Sequence, residues 1–177
     1  MPGEWVVDDD SIPDDAHIHR RLIDPGDLVI DQISGQLTVS PAAYRYSNDG
    51  MSVYVSTAMA VNEISDVELI SWDGHALARV TVATVRRADE GEAFASKAPP
   101  KGTVVAGEDH EQAGGVTLSE AQDGPEDPRV RRSHGLVRLR ERPPARQAWN
   151  AFRNKLLQAS QVKRERQGAW VDCAADR

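Results

Sequence analysis

The chain has 177 residues, of which 40% are hydrophobic and 28% are charged. This length and composition suit one globular domain with a hydrophobic core and exclude a chain that is disordered throughout. The formal net charge is -7, so binding to nucleic acid stays open but is not favoured. No apolar run is long enough to cross a bilayer, and the acidic first ten residues do not resemble a signal peptide. We therefore expect a cytoplasmic protein without a membrane contact.

The first half of the chain predicts strands that are separated by turns. Four segments carry the alternating or β-branched pattern of strands, namely residues 16–23, 28–39, 51–57 and 76–87. The alternation is clearest in 51–57, where Met51, Val53 and Val55 would face a core while hydroxyl groups face the other way. Residues 58–72 fit either a short helix that runs into a turn or the first arm of a hairpin, and we favour the helix.

The second half predicts a long loop, one strand and one helix. Residues 96–128 are rich in proline, glycine and acidic residues, which predicts a flexible insertion loop. Residues 135–140 alternate apolar side chains with arginines, as a strand does. Residues 145–162 place Trp149 and Phe152 on one side, at the spacing of an amphipathic helix.

Together these elements predict a single α+β domain over residues 1–168. We expect a mostly antiparallel sheet with the C-terminal helix packed on one face, and we expect the first ten residues to be mobile. Residues 169–177 are predicted to form a mobile tail. Cys173 lies in this tail and is the single cysteine, so an internal disulfide is excluded.

Three short motifs resemble a family of small, functionally uncharacterised bacterial proteins. The motifs are Ile12-Pro13-Asp14 with Arg20-Arg21, then Gly50-Met51-Ser52-Val53, then His134-Gly135-Leu136-Val137 before a terminal helix. The resemblance covers most of the chain except residues 96–128 and the tail. It implies one domain and supplies no activity.

Positive charge is concentrated in the last third of the chain, whereas acidic residues dominate the N-terminal segment. We define the basic strip as Arg129, Arg131, Arg132, Arg138, Arg140 and Arg142. Alternation would display the last three on one strand face while Val137 and Leu139 hold the other face in the core. We therefore expect a non-catalytic binding or accessory module that contacts a protein partner or acidic surface and needs no cofactor.

Two alternatives to this use of the basic strip remain open. The arginines could protect a solvated edge strand from aggregation. The acidic N-terminal segment could also fold over the basic face, within one molecule or within a homo-oligomer.

A second resemblance predicts an enzyme instead. The order of Arg20, the Ser-Thr pair that begins at Ser56, and the Glu-Gly-Glu that ends at Glu92 is similar to the signature of mono-ADP-ribosyltransferases. The resemblance implies NAD-dependent chemistry, in which Arg20 orients the dinucleotide phosphates, Ser56 shapes the nicotinamide pocket and Glu92 promotes transfer. His134 would lie alongside.

Histidine and serine residues offer two further interpretations. His17 and His19 occupy alternate strand positions and would point the same way, but no third ligand is evident. We therefore expect no metal site and an exposed or partner-facing histidine pair. Ser52, Ser56 or Thr57 could supply a nucleophile beside His134, yet no Gly-x-Ser-x-Gly elbow is present, so hydroxyls on a solvent-facing surface are expected.

Overall fold

The structure is a computed structural model, and it describes residues 11–46, 50–70, 75–87, 103–106, 127–139 and 145–173, with only the backbone of 103–106. The strands are β1 (His17–Leu22), β2 (Leu28–Ile30), β3 (Leu37–Val39), β4 (Met51–Val55), β5 (Ala76–Thr81), β6 (Thr103–Ala106), β7 (His134–Arg138), β8 (Gln161–Lys163) and β9 (Val171–Asp172). The α-helices are α1 (Ser56–Val61), α2 (Asp66–Leu69), α3 (Val82–Arg87), α4 (Pro128–Arg132) and α5 (Arg146–Gln158). A 3-10 helix spans Pro41–Tyr44.

Seven strands form the main sheet, in the order β6-β7-β4-β1-β5-β8-β9. Every pairing between the described strands of this sheet is antiparallel. The predicted α+β fold with a mostly antiparallel sheet is therefore confirmed. Among the described residues, no helix combines the length and the apolar character needed to cross a membrane.

Residues 28–39 do not join the main sheet, so this part of the prediction was wrong. β2 and β3 pair with each other in a separate two-stranded sheet. The reason is a tight turn: the Asp31 carboxylate accepts hydrogen bonds from the backbone of Ile33 and Ser34, both at 2.8 Å. Gly35 then adopts a φ of 70°, a conformation that glycine allows without strain.

Two predicted strands are shorter than expected because helices begin within them. The strand predicted over 51–57 ends at Val55, and Ser56 opens α1. The strand predicted over 76–87 ends at Thr81, whose hydroxyl accepts a hydrogen bond from the backbone N–H of Thr84 at 3.2 Å. Such a side-chain bond favours a helix start, so α3 follows. Helices α1 and α2 support the helical interpretation of the segment after β4.

The C-terminal helix is shorter than predicted, and the segment after it is a pair of strands. α5 ends at Gln158, and Ser160 then bonds back to it through its hydroxyl, which donates to the carbonyl oxygen of Leu156 at 2.8 Å. The chain continues as β8, which pairs with β9. Part of the predicted tail therefore joins the sheet, and after β9 the side chain of Cys173 is buried while its backbone N–H donates to the Ser160 carbonyl oxygen at 2.9 Å. Residues 174–177 and the first ten residues lie outside the described residues.

One face of the main sheet is apolar, and the other, which we call the polar face, carries polar side chains beside a smaller apolar cluster. Alternate residues of β1, β4, β5 and β7 belong to one buried cluster with the apolar residues of α5. This cluster includes Ile18, Val53, Ala78, Val137, Trp149, Phe152 and Leu156. A second, smaller cluster lies on the opposite side, where residues of α1, α2 and α4 pack on Tyr54 and Leu77.

Candidate functional site on the polar sheet face

The polar face of the sheet gathers most of the chemically active side chains of the described strands. Strand alternation and register place on it His17, His19, Arg21, Ser52, Tyr54, Arg79, His134, Arg138, Gln161 and Lys163. His19 lies opposite Tyr54 on one side and opposite Arg79 on the other, and Tyr54 lies opposite His134. These pairings form a continuous row across the sheet, which makes this face the candidate site.

One half of the polar face, which we call the closed half, contains His19, Arg79 and Lys163. Trp170 covers it. Its indole lies 4.1 Å from the Arg79 guanidinium carbon, and the His19 and Trp170 ring centroids are 5.6 Å apart. The indole N–H and the Lys163 ammonium both donate to Asp66 Oδ2, at 3.2 and 3.1 Å. Burial alone would raise the pKa of Asp66, but these hydrogen bonds and the Lys163 charge lower it.

His19 is the most deeply buried polar group of the closed half. Only 5% of it is exposed. Burial, together with the charges of His17 and Arg79, lowers the pKa of His19 to about 4, so the ring is neutral at pH 7. The predicted exposed or partner-facing pair is therefore wrong for His19, because Trp170 folds back over it from a distant part of the sequence.

The other half of the polar face, which we call the open half, contains Arg21, Ser52, Tyr54, His134 and Arg138, which surround the buried Leu136. Ser52 Oγ and His134 Nε2 are hydrogen-bonded. The His134 ring stands edge-on to Tyr54, with centroids 5.6 Å apart, and the Arg21 guanidinium carbon lies 4.8 Å from the Tyr54 ring centre. Tyr54 is buried and the other four residues are partly exposed, so part of this half is in contact with solvent.

The pairing of β4 with β7 builds the centre of the open half. Its register places His134 and Arg138 on the two diagonals from Ser52, on the same face. Gly50 permits this pairing: its φ is 144°, and an added Cβ would lie 2.8 Å from Arg138 Cγ and 2.9 Å from the Val137 carbonyl oxygen. No larger side chain would fit there without a shift of β7.

The arrangement of Ser52 and His134 permits two kinds of chemistry. An imidazole nitrogen that is hydrogen-bonded to a hydroxyl can accept its proton, which makes the oxygen a nucleophile. The guanidinium groups on the same face favour a negatively charged ligand.

Arg20 lies on the apolar face, opposite to Arg21 and His134. Its Nε donates to the Ala43 carbonyl oxygen at 3.0 Å, and its Nη1 donates to the Ser52 carbonyl oxygen at 2.7 Å. These bonds tie the 3-10 helix to β4. Arg20 therefore has a structural role, and Arg21 is the arginine of this pair that reaches the polar face.

The remaining residues of the NAD interpretation are not brought together by the described structure. Ser56 Oγ accepts a hydrogen bond from the backbone N–H of His17 at 2.9 Å. Glu92 lies outside the described residues. Because Arg20 and His134 occupy opposite faces of the sheet, one ligand cannot contact both through their present side-chain positions.

The basic strip is divided between two elements. Arg129, Arg131 and Arg132 lie in α4, and Arg129 forms ion pairs with Asp127 at 2.7 Å and Glu68 at 3.3 Å. Arg138 lies on β7, whereas Arg140 and Arg142 lie outside the described residues. Arg138 is therefore the one described member of the basic strip that lies on a strand, and the predicted row with Arg140 and Arg142 stays a prediction.

Two further predictions concern the β7 segment, and only one of them is confirmed. Val137 and Leu139 are buried as predicted. The edge-strand alternative is wrong, because β7 lies between β6 and β4 in the sheet.

Arg21, Arg79 and Trp170 are site residues that sequence reasoning missed. The signal for Trp170 was its residue type, since a large aromatic side chain near the end of a chain with few aromatics is costly to leave in water. No local pattern could have shown which strand it covers.

Comparison with known proteins does not assign the chain to a family. No family model matches it, no curated protein matches it, and no solved structure matches its fold. In the part of the chain that the structure describes, no three histidine, cysteine, aspartate or glutamate side chains converge to hold a metal ion.

Proposed function

We propose that the protein is a binding module that contacts an acidic protein partner through the open half of the polar face. The observation that carries this proposal is the sign of the charge there. The polar-face positions of β1, β4 and β7 include Arg21 and Arg138 and no aspartate or glutamate. Both arginines are partly exposed, so they can reach carboxylates of a partner.

The cationic surface is small, with two arginines, and this favours a protein as the partner over a nucleic acid. A chain with a net charge of -7 repels an extended polyanion at long range, whereas a local acidic patch can meet a local pair of arginines. Guanidinium groups also bind carboxylates in a bidentate geometry, which adds specificity. We do not propose NAD-dependent transfer, because Arg20 is held on the opposite face.

Affinity capture with charge-reversed variants tests the proposal. The baits are the native protein, Arg138→Glu, and Arg146→Glu as a matched control, since Arg146 is an exposed residue of α5 on the other side of the sheet. We expect a defined set of acidic proteins to be retained by the native protein and by Arg146→Glu, and lost from Arg138→Glu. Circular dichroism confirms that each bait is folded. Identical partner sets from all three folded baits would contradict the proposal.

A further inference from the structure

The hydrogen bond between Ser52 Oγ and His134 Nε2 carries an inference that is independent of the protein partner. We propose that Ser52 is a catalytic nucleophile, with His134 as its general base, and that the pair hydrolyses small esters that carry a negative charge. The two residues come from neighbouring strands, lie on one sheet face and are both partly exposed. A substrate can therefore approach the hydroxyl from solvent.

Both partners are held in position by neighbouring groups. The main chain at Ser52 is anchored because its carbonyl oxygen accepts from Arg20 Nη1 at 2.7 Å, and Arg20 is fixed in turn by Ala43. The His134 ring is held edge-on against Tyr54. Arg20 and Tyr54 are thus positioning residues, and the hydroxyl and imidazole are pre-organised for proton transfer.

The reaction has two balanced steps. In the first, Ser52 Oγ attacks the ester carbonyl carbon, its proton moves to His134 Nε2, and the leaving alkoxide departs with that proton as an alcohol. In the second, His134 removes a proton from water, the hydroxide attacks the acyl-serine carbonyl, and the proton returns to Ser52 Oγ as the carboxylic acid is released.

The charge around the pair specifies the substrate class. Arg138 lies on a diagonal from Ser52, and Arg21 stands over the ring that contacts His134. A carboxylate on the acyl group can pair with either guanidinium while the ester carbonyl lies at the hydroxyl. Hydrophobic or cationic esters gain no such contact.

Labelling with a fluorophosphonate tests the nucleophile. This reagent phosphonylates an activated serine oxygen and releases fluoride. We expect one phosphonyl group on the native protein, located at Ser52 by peptide mass spectrometry, and none there in Ser52→Ala. His134→Gln should react at least about a hundredfold more slowly. Ser56→Ala is the matched control and should react at the native rate, because its hydroxyl bonds to the main chain of His17.

Two results would contradict the proposal that Ser52 is a nucleophile activated by His134. With the fold of each variant confirmed by near-ultraviolet circular dichroism, no adduct at Ser52, or an equal rate in His134→Gln, removes the proposed pair. Failure of the affinity capture has no bearing on this result.

Two nitrophenyl esters test the substrate class. The hemisuccinate carries a carboxylate and the acetate does not. We expect the native protein to hydrolyse the hemisuccinate at least about tenfold faster than the acetate. A rate ratio of this size corresponds to one hydrogen-bonded contact between the substrate carboxylate and a guanidinium. Arg138→Gln should reduce that ratio toward one while Ser52 remains labelled. Equal rates for the two esters with the native protein would overturn the anionic substrate class.

Discussion

The closed and open halves of the polar face contain the same kinds of side chain in different surroundings. In the closed half, His19 and Arg79 lie under Trp170, and one carboxylate joins Trp170 to Lys163. In the open half, His134 and the arginines stay partly exposed. The same residue types therefore form buried contacts where Trp170 covers them, and they keep partial solvent exposure at Arg21, His134 and Arg138.

The largest expected effect is a pH dependence of stability that belongs to the closed half. The pKa of His19 is about 4 in the folded protein and 6.5 in its ordinary state, so the unfolded chain binds more protons between these values. The stability that depends on a neutral His19 is fully present above pH 6.5, and it decreases as the pH falls toward 4. The expected loss in the free energy of unfolding is about 3 kcal/mol.

Urea unfolding of the native protein and of His19→Gln, at pH 7 and at pH 4.5, measures this effect. Carboxylates that lose ion pairs in acid contribute to both proteins, so the difference between the two proteins isolates His19. The advantage of the native protein over the variant should shrink as the pH falls. A constant difference across this range would show that protonation of His19 does not oppose folding.

A somewhat smaller effect is expected from removing the cover of the closed half. Trp170→Ala loses the ring contacts with Arg79 and His19 and the hydrogen bond to Asp66. Because the side chain is only partly buried, we expect a cost of about 2 to 3 kcal/mol, below the value for a fully buried tryptophan. Thermal and urea unfolding measure it.

A neighbouring variant controls for a change in the chain beside Trp170. Val171→Ala changes an exposed residue of β9, which begins directly after Trp170, and should cost less than about 0.5 kcal/mol. In Trp170→Ala, the pKa of His19 should also rise toward 6.5, which an NMR titration would show. An unchanged His19 pKa would mean that a group other than Trp170 excludes water from the imidazole ring.

The smallest effect on stability is expected in the open half. Ser52→Ala removes one partly buried hydrogen bond, and water can replace it at His134, so the cost should be below about 1 kcal/mol. The same variant should lose all labelling at residue 52. A loss of stability above about 2 kcal/mol would instead assign the pair to the fold, and the contrast between the halves would disappear.

The sequence predicted those parts of the fold that depend on local pattern. The alternation from Met51 to Val55 and the spacing of Trp149 and Phe152 both correspond to buried residues of the structure. The ends of the elements were less predictable, since they depend on single hydrogen bonds such as the one from Thr84 to the Thr81 hydroxyl.

The candidate site was less accessible to sequence reasoning than the fold. Which of two adjacent arginines faces the site depends on strand register, and register depends on pairings between distant segments. The resemblance to mono-ADP-ribosyltransferases identifies Arg20, whereas the register of β1 places Arg21 on the polar face. The sequence offers Ser52 and His134 as one of several candidate pairs, but only the pairing of β4 with β7 brings them into contact.

The strand order has a consequence for the rate of folding. β1 lies at the centre of the main sheet, yet β4 follows it only after the β2–β3 hairpin and the 3-10 helix, and β5 follows only after β4, α1 and α2 as well. Each central pairing therefore closes a long loop, and the chain loses conformational entropy before the favourable contacts between the strands form. We expect the hairpin and α5 to form early and the sheet to assemble last, on a timescale of milliseconds to seconds that is typical of non-local β topologies. During that interval β1 is an unpaired strand, and self-association competes with folding.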